Sequence, residues 1–392
     1  MFSSSVISRV RTTQMIETDT DSCRLRNASL EDGVDATEFI RGLGLSMPET
    51  REAIDAHWRR LWVDNPAMAC DGPKPPLGWV LEKNDRMVGF FCNVPLLYYF
   101  GERRVIVAVA SQWGLDKRHR RKIHRLAGAY FNQDHADILM ATTANSSAGR
   151  IFRHYGAGRI PQPDYEQVLY WIIDGGGFIG AAMKRKNVAP FITSVLSTTT
   201  RPLVGFALAM GWRRPKGHEE KVDLIGVEDI DDRFDDLWKR KQAEAERLLA
   251  CRMASNLRWH FGDTQCEKGT RILAHRRGGL RGYAVVMRED EVGIGLKRLR
   301  IADLFVETND EVVVNDLLSA AYEYGREQGC HILEWVGMPT DLRQIAHRHS
   351  PFIRTLPTWP LYYKTMDVGL TSSLERQTAW YITPYDGDTT LV

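Results

Sequence analysis

The 392-residue chain carries six cysteines, Cys23, Cys70, Cys92, Cys251, Cys266 and Cys330, and no two of them form a CxxC pair or stand at zinc-ligand spacing from a histidine. That excludes a zinc ribbon or finger and a disulfide-framed secreted module; no metal is expected, and reduced thiols fit a cytoplasmic protein. The chain also lacks a surplus of charge, with 52 Lys and Arg against 50 Asp and Glu. A net charge of +2 excludes bulk nucleic-acid binding, so no nucleic-acid partner is expected. Long unbroken apolar runs are missing too. The first fifteen residues hold no apolar core of the kind a secretory signal needs. Pro190 to Trp212 is long enough to span a bilayer but is interrupted by Arg201, Pro202 and several hydroxyls. It reads as an interdomain connector, with peripheral membrane contact through 190–212 as its sharper alternative.

What the chain does contain is a repeat. Its length already suggests two or three domains. VEDIDDRFDDLW (Val227–Trp238) answers LEDGVDATEFI, LRWHFGD answers RLWVDNP, and ILAHRRGGLRGYAVV answers WVLEKNDRMVGFF. HILEWVGMPTDLRQIAHRHSPFI answers DILMATTANSSAGRIFRHYGAG, and the displacement stays near roughly 195 residues throughout. WPLYYKTM is expected to close the second half as QVLYWI closes the first. The reading is two copies of one mixed α/β unit, at 22–174 and 222–367. A flexible tail (1–21), an apolar and basic connector (175–221) and a C-terminal tail (368–392) complete the chain.

The first copy holds the distinctive stretch. VIVAVASQWGLD (Val105–Asp116) is an apolar strand run, and KRHRRKIHR (Lys117–Arg125) places eight basic or titratable side chains in nine positions. A helix follows, then a buried strand ending in a Thr/Asn/Ser turn, then a second helix. A cationic turn opening a helix offers free backbone N–H groups, the positive end of a helix dipole and several charges, a combination suited to a polyphosphate. The corresponding turn of the second copy, TNDEVVVND, is acidic and repels one. The second copy is therefore expected to buttress the first and wall a substrate cleft.

From Arg24 to about Ile172 this order of parts resembles the acyl-CoA-binding half of the GCN5-related (GNAT) N-acyltransferases: strand, acidic cap, two helices, a hairpin turning at Asn84–Asp85, strand, basic turn, helix, strand, helix. The resemblance implies an α/β fold with a mixed (α+β) sheet, here two GNAT-like folds in tandem. It also implies an acyl-CoA-dependent N-acyltransferase using acetyl-CoA or another acyl-CoA, with a small-molecule amine of amino-sugar or amino-acid type as acceptor.

Carried over by position, Trp113, Gly114, Leu115 and Asp116 would contact the pantetheine arm and carbonyl. Arg118, Arg120, Arg121, Lys122 and Ile123 would meet the phosphates, and Asn145 would hold the pantetheine amides or simply cap the next helix. The family's phosphate loop runs Arg or Gln, two residues, Gly, one residue, Gly or Ala; counted from Arg120, the glycine positions hold Ile123 and Arg125. The place of the family's late-helix tyrosine, a general acid to the leaving thiolate, holds Phe152, with Tyr155 one turn on. Tyr155, His154 and the strand residue Glu82 are the candidates for proton transfer. Two alternatives accompany this reading, a non-catalytic CoA-binding or scaffold protein and a Fem-like aminoacyl transferase.

Overall fold

A computed structural model describes residues 23–186, 214–262, 269–276, 278–356 and 360–391. Pro190–Trp212 and Cys266 lie outside them. Among the described residues no helix is long and apolar enough to cross a membrane.

The first half begins with β1 (Arg24–Asn27), a Ser29–Asp32 capping box, α1 (Gly33–Gly42) and α2 (Arg51–Trp62), the last N-capped by Thr50. It continues with β2 (Gly78–Lys83), β3 (Arg86–Phe100), β4 (Arg103–Leu115), α3 (Ile123–Phe131), β5 (Ile138–Ala141), α4 (Ser146–His154), β6 (Gly158–Arg159), β7 (Gln167–Ile172) and α5 (Gly175–Arg185). The second half has β8 (Val222–Ile225), α6 (Asp232–Ala243), β9 (Leu248–Ala250), α7 (Ala254–Phe261), β10 (Arg271–Arg276), β11 (Leu280–Arg288) and β12 (Arg298–Val306). It ends with α8 (Glu311–Glu327), β13 (Ile332–Val336), α9 (Thr340–His347), β14 (Phe352–Thr355), β15 (Tyr362–Thr365) and α10 (Val368–Leu374).

The hairpin turn falls at Asn84 and Asp85, both at positive φ (51° and 55°), the left-handed pair that matches the twist of a two-residue hairpin.

The two sheets have the same strand order. The first runs β1-β2-β3-β4-β5-β15-β6, and the second, from its other edge, β8-β10-β11-β12-β13-β7-β14. Corresponding strands differ in one respect: β7 and β15 have changed places. Gln167–Ile172 pairs antiparallel with β13 and β14, and Tyr362–Thr365 pairs with β5 and β6. The sequence pattern predicts that QVLYWI and WPLYYKTM each close their own half; instead, each closes the other. β9 crosses as well and adds to the far end of β3. Both closing strands are short apolar runs that can line either sheet, and exchanging them makes the halves share their backbone hydrogen bonds.

The main apolar cluster reflects this. The α1–α2 face of the first sheet (Trp58, Trp62, Phe90) and the core of the second half (Trp238, Phe305, Trp335) belong to one continuous cluster. A smaller one, with Phe91, Tyr130, Phe131 and Phe152, lies beneath α3 and α4.

The C-terminal segment is not a tail. From Ala379 to Leu391 every residue except Thr389 is buried. Gln162 exchanges two hydrogen bonds with Ile382 (2.9 and 3.1 Å), Tyr381 donates to the Leu304 carbonyl (2.7 Å), and Tyr385 donates to that of Cys251 (2.7 Å). The segment thus straps the halves together.

Candidate functional site

The parallel pair β4–β5 is joined only from Val107 to Val109 against Ile138 to Met140. β5 stops at Ala141 while β4 runs on to Leu115, so the β5-side edge of Ala110–Leu115 has no strand partner among the described residues. A buried side chain holds this fork open. The Tyr130 hydroxyl, fully excluded from solvent, reaches the Ala108 carbonyl at 2.8 Å and lies 3.1 Å from both N and O of Met140. It satisfies backbone groups that a closed ladder would otherwise pair.

Just beyond, β4 is bulged. Phe91 faces Trp113 and Cys92 faces Ser111, leaving Gln112 extra, at φ 41°. Such a bulge bends a strand and re-aims its neighbours. The Gln112 amide is held from the α2 side by His57 (3.4 Å) and Met47 sulfur (3.2 Å). The sequence signal is the polar pair Ser111–Gln112 inside an apolar run whose pattern predicts a regular strand.

After β4 the basic stretch does not form an open glycine-type loop. Asp116 accepts the Arg118 N–H at 2.8 Å, and Lys117–Lys122 winds as a 3-10 helix leading into α3. No residue from 117 to 125 has positive φ. With Ile123 and Arg125 where glycines would stand, the chain cannot easily take the left-handed turn, and the 3-10 helix ties up its N–H groups, His119 to Asp116 among them. The expected free backbone donors are thus fewer, and positive charge here comes mainly from side chains. Arg118, Arg120 and Arg121 are exposed and make no ion pair with any described residue.

This 3-10 ridge separates two grooves. One, of about 730 Å³, lies over the fork and is lined by Trp113, Gly114, Leu115, Arg120, Ile123 and Asn145, with His124, Arg150 and His154 on the α3 and α4 side. The other, of about 1610 Å³, lies between the ridge, the β2–β3 hairpin and the end of α1; Asp116, Arg118, Arg121 and Lys122 line it. Leu115 and Arg120 border both. Leu43, at the end of α1, closes over Gly114, where an added Cβ would come within 2.6 Å of it.

The remaining expected residues fall elsewhere. Asn145 is the N-cap of α4, its Oδ1 accepting from Ser147 (3.0 Å) and Ala148 (2.9 Å), which takes up the oxygen that would face a pantetheine amide. Phe152 is fully buried among Tyr130, Phe131 and Tyr362 and lines neither groove. Tyr155 stacks on Phe131 and donates to the His124 carbonyl at 3.0 Å, behind the groove; burial raises its pKa. Glu82 is held by Arg26 (2.6 and 2.8 Å) beside Asp32, at the β1–β2 edge and away from both grooves. Of the three proton-transfer candidates only His154 reaches a groove, with its ring 4.9 Å from that of His124. Arg150, Lys83, Arg86 and Leu43 were not anticipated; they come from α4, the hairpin and α1, elements whose meeting at one sheet end is a tertiary fact.

In the second sheet the corresponding region is filled. β12 pairs with β13 only from Arg298 to Ile301. Beyond that point Leu304 and Asp303 bind Tyr381 and Thr383 of the C-terminal strap. The following turn carries Glu307, already engaged by Arg240 and Arg281 (3.2 Å each).

The forked parallel pair, the bulged central strand and the strand order together define the fold of the GCN5-related N-acetyltransferases, present here with two mixed sheets. Particular solved structures share it. A GCN5-related N-acetyltransferase from Anabaena variabilis ATCC 29413 matches with TM-score 0.55 and 12% identity, over 88% of this chain and 74% of its own. A conserved protein of unknown function from Enterococcus faecalis V583 matches with TM-score 0.57 and 10% identity, over 88% and 73%. A GCN5-related N-acetyltransferase from Kribbella flavida matches with TM-score 0.53 and 14% identity, over 88% and 71%. By sequence, no protein-family model and no curated protein matches the chain.

Proposed function

We propose that the protein is an acyl-CoA-dependent N-acyltransferase that acts on a small-molecule amine. The observation that carries this reading is the unpaired edge of β4 from Ala110 to Leu115, opening on a groove flanked by Arg120 and Arg150. Backbone N–H and C=O groups along such an edge suit an extended arm with amide groups. Aimed N–H groups also polarise an acyl carbonyl as charge develops on its oxygen. The walls offered by Trp113, Ile123, Ala148 and Ile151 are largely apolar and suit a thin chain. Arg120 and Arg150 meet phosphate oxygens with fork-like donors.

Bound acyl-CoA would supply the activated thioester; the chain's own groups orient it and manage protons. His154, the candidate that lines the groove, is placed to accept a proton from the attacking amine or to relay it through water. The test is calorimetric titration with acetyl-CoA and longer acyl-CoAs, followed by thiol release with an amine panel. Binding in the micromolar range with amine-dependent thiol release supports the proposal, and absence of binding to every acyl-CoA sinks it.

A second reading, an acyl-CoA-binding protein without transferase activity, is favoured by one observation. The Tyr155 hydroxyl is engaged by a backbone carbonyl, and Phe152 stands where a tyrosine is expected. Saturable binding with no thiol release from any amine would select it.

A further inference from the structure

Two aspartates of the C-terminal strap, Asp386 and Asp388, are buried, but only one of them has a cation. Asp386 meets the Arg252 guanidinium at 3.1 Å. Asp388, 2% exposed, forms no ion pair among the described residues. Its side-chain partners are hydroxyls: Thr142 at 2.7 Å, Thr143 at 3.2 Å from each carboxylate oxygen, and Ser111 beside them. A buried carboxylate without a cation is unfavourable, and an amide would serve the same hydroxyls without that penalty. Holding the strap in place does not by itself call for an acid.

Where the acid sits suggests its use. Asp388 reaches both arms of the fork, since Ser111 lies on β4 where the unpaired edge begins and Thr142 and Thr143 directly follow the end of β5. Gly387 permits this approach: its φ is 82°, and an added Cβ would come within 2.3 Å of Thr142 Oγ1. Of the three hydroxyl residues only Thr143 is exposed. It stands in the turn that leads from β5 to Asn145, on the wall of the fork groove. Arg120 lies just beyond Leu115, so phosphates held there mark the outer end of the unpaired edge. An arm extended along that edge carries its thioester inward, toward Ser111 and Thr143.

We infer that Thr143 meets the attacking amine and that Asp388, acting through it, takes up the proton at the inner end of the fork groove. This rests on the acyltransferase reading and adds a second acceptor to His154, which stands on the α4 side. In the transfer the amine nitrogen forms the amide C–N bond, the thioester C–S bond breaks, and the sulfur departs with the electron pair as thiolate. The amine proton goes to the Thr143 oxygen as the Thr143 proton passes to Asp388, which later returns it to water. Asp388 is thus a positioning residue that never touches the amine. Burial raises its pKa, with the Thr142 hydrogen bond in opposition, in the direction a base working near neutrality needs. The titratable groups facing it do not compete for the proton. Cys92 of β3, Tyr130 of α3 and Tyr165 of the β6–β7 link are all kept neutral by burial.

The experiment uses the full chain, acetyl-CoA and the panel amine that releases thiol fastest. Asp388→Asn is expected to lower kcat by about a hundredfold at neutral pH and to flatten its rise with pH. Its acetyl-CoA Kd should stay within about twofold of the parent and its Tm should not fall. Thr143→Val should share the loss of kcat, and Thr143→Ser, which keeps the hydroxyl, should stay within about threefold of the parent. A kcat retained in Asp388→Asn, or lost only together with Tm, assigns the acid to holding the strap and overturns the inference. So does Thr143→Val weakening acetyl-CoA binding as much as turnover, or Thr143→Ser being as slow as Thr143→Val. If the parent binds no acyl-CoA, or releases no thiol with any amine, the acyltransferase reading itself falls and the relay falls with it.

Discussion

Arg252 and Asp303 are joined by two hydrogen bonds, 2.9 and 3.1 Å, and both side chains are wholly excluded from solvent. A third buried group, Asp386 of the C-terminal strap, meets the same guanidinium at 3.1 Å, and Thr383 bridges the two carboxylates. The Arg252 guanidinium also lies 4.6 Å from the centre of the Tyr385 ring. Buried ion sets contribute little net stability compared with apolar replacements, but removing one member strands the others. Arg252→Met would leave two carboxylates buried near one another without a cation. The expected loss is about 3–5 kcal/mol in urea denaturation, with the strap released to carboxypeptidase. A loss under about 1 kcal/mol would mean that the ion set does not hold the strap.

Asp388 ties the other end of the strap to the first sheet, accepting from Thr142 at 2.7 Å and Thr143 at 3.2 Å. Burial raises its pKa, with the Thr142 hydrogen bond acting in opposition. The native state therefore keeps a proton on Asp388 at pH values where the unfolded chain has lost it. Folding binds that proton, and stability falls as pH rises from the ordinary carboxylate range through the raised pKa. Asp388→Asn keeps an acceptor and removes the titration. Its Tm is expected to exceed that of the parent at neutral pH, with the gap closing as pH falls below the ordinary carboxylate range. A gap that does not change with pH, or one of opposite sign, would refute this.

Tyr130 makes a separable prediction about the fork. Tyr130→Phe preserves ring packing against Phe91 (4.7 Å) but leaves the Ala108 carbonyl and Met140 N–H without their buried partner. The cost should be about 1–3 kcal/mol. It should be accompanied by faster amide exchange at Met140. Unchanged protection at that amide would show that the strands close on each other once the hydroxyl is gone.

The sequence disclosed the repeat, the hairpin turn and the basic ridge because each is local: apolar alternation, an Asn–Asp pair, a run of cations. Strand exchange was illegible because Gln167–Ile172 and Tyr362–Thr365 carry the same kind of apolar pattern, and nothing local says which sheet either one closes. The strap was misread for a related reason. Its Asp386 and Asp388, with Pro384 and Gly387, look like a solvated end until Arg252 and Thr142 are brought to them from more than a hundred residues away. At the site, position by position matching put Phe152 on the ligand and left Asn145 between ligand and cap, whereas the fold uses Asn145 as the cap and Phe152 as core. The cations that line the second groove come from a hairpin and a ridge that are distant in sequence, so their convergence needed the folded sheet.

Arg120 borders both grooves, and that position makes it diagnostic. It is exposed and forms no ion pair among the described residues, so Arg120→Ala should leave stability within about 0.5 kcal/mol of the parent. Acetyl-CoA should weaken by about tenfold, the loss of one charge-assisted contact. Arg150→Ala, on the fork side only, should weaken acetyl-CoA to a similar extent, and Arg86→Ala, on the hairpin side only, should leave its affinity unchanged. Calorimetric titration of the three variants with acetyl-CoA reads this pattern. If Arg86→Ala weakened acetyl-CoA as Arg150→Ala does, the ridge would not divide two grooves of separate use, and the basic turn would serve one polyphosphate lying across it.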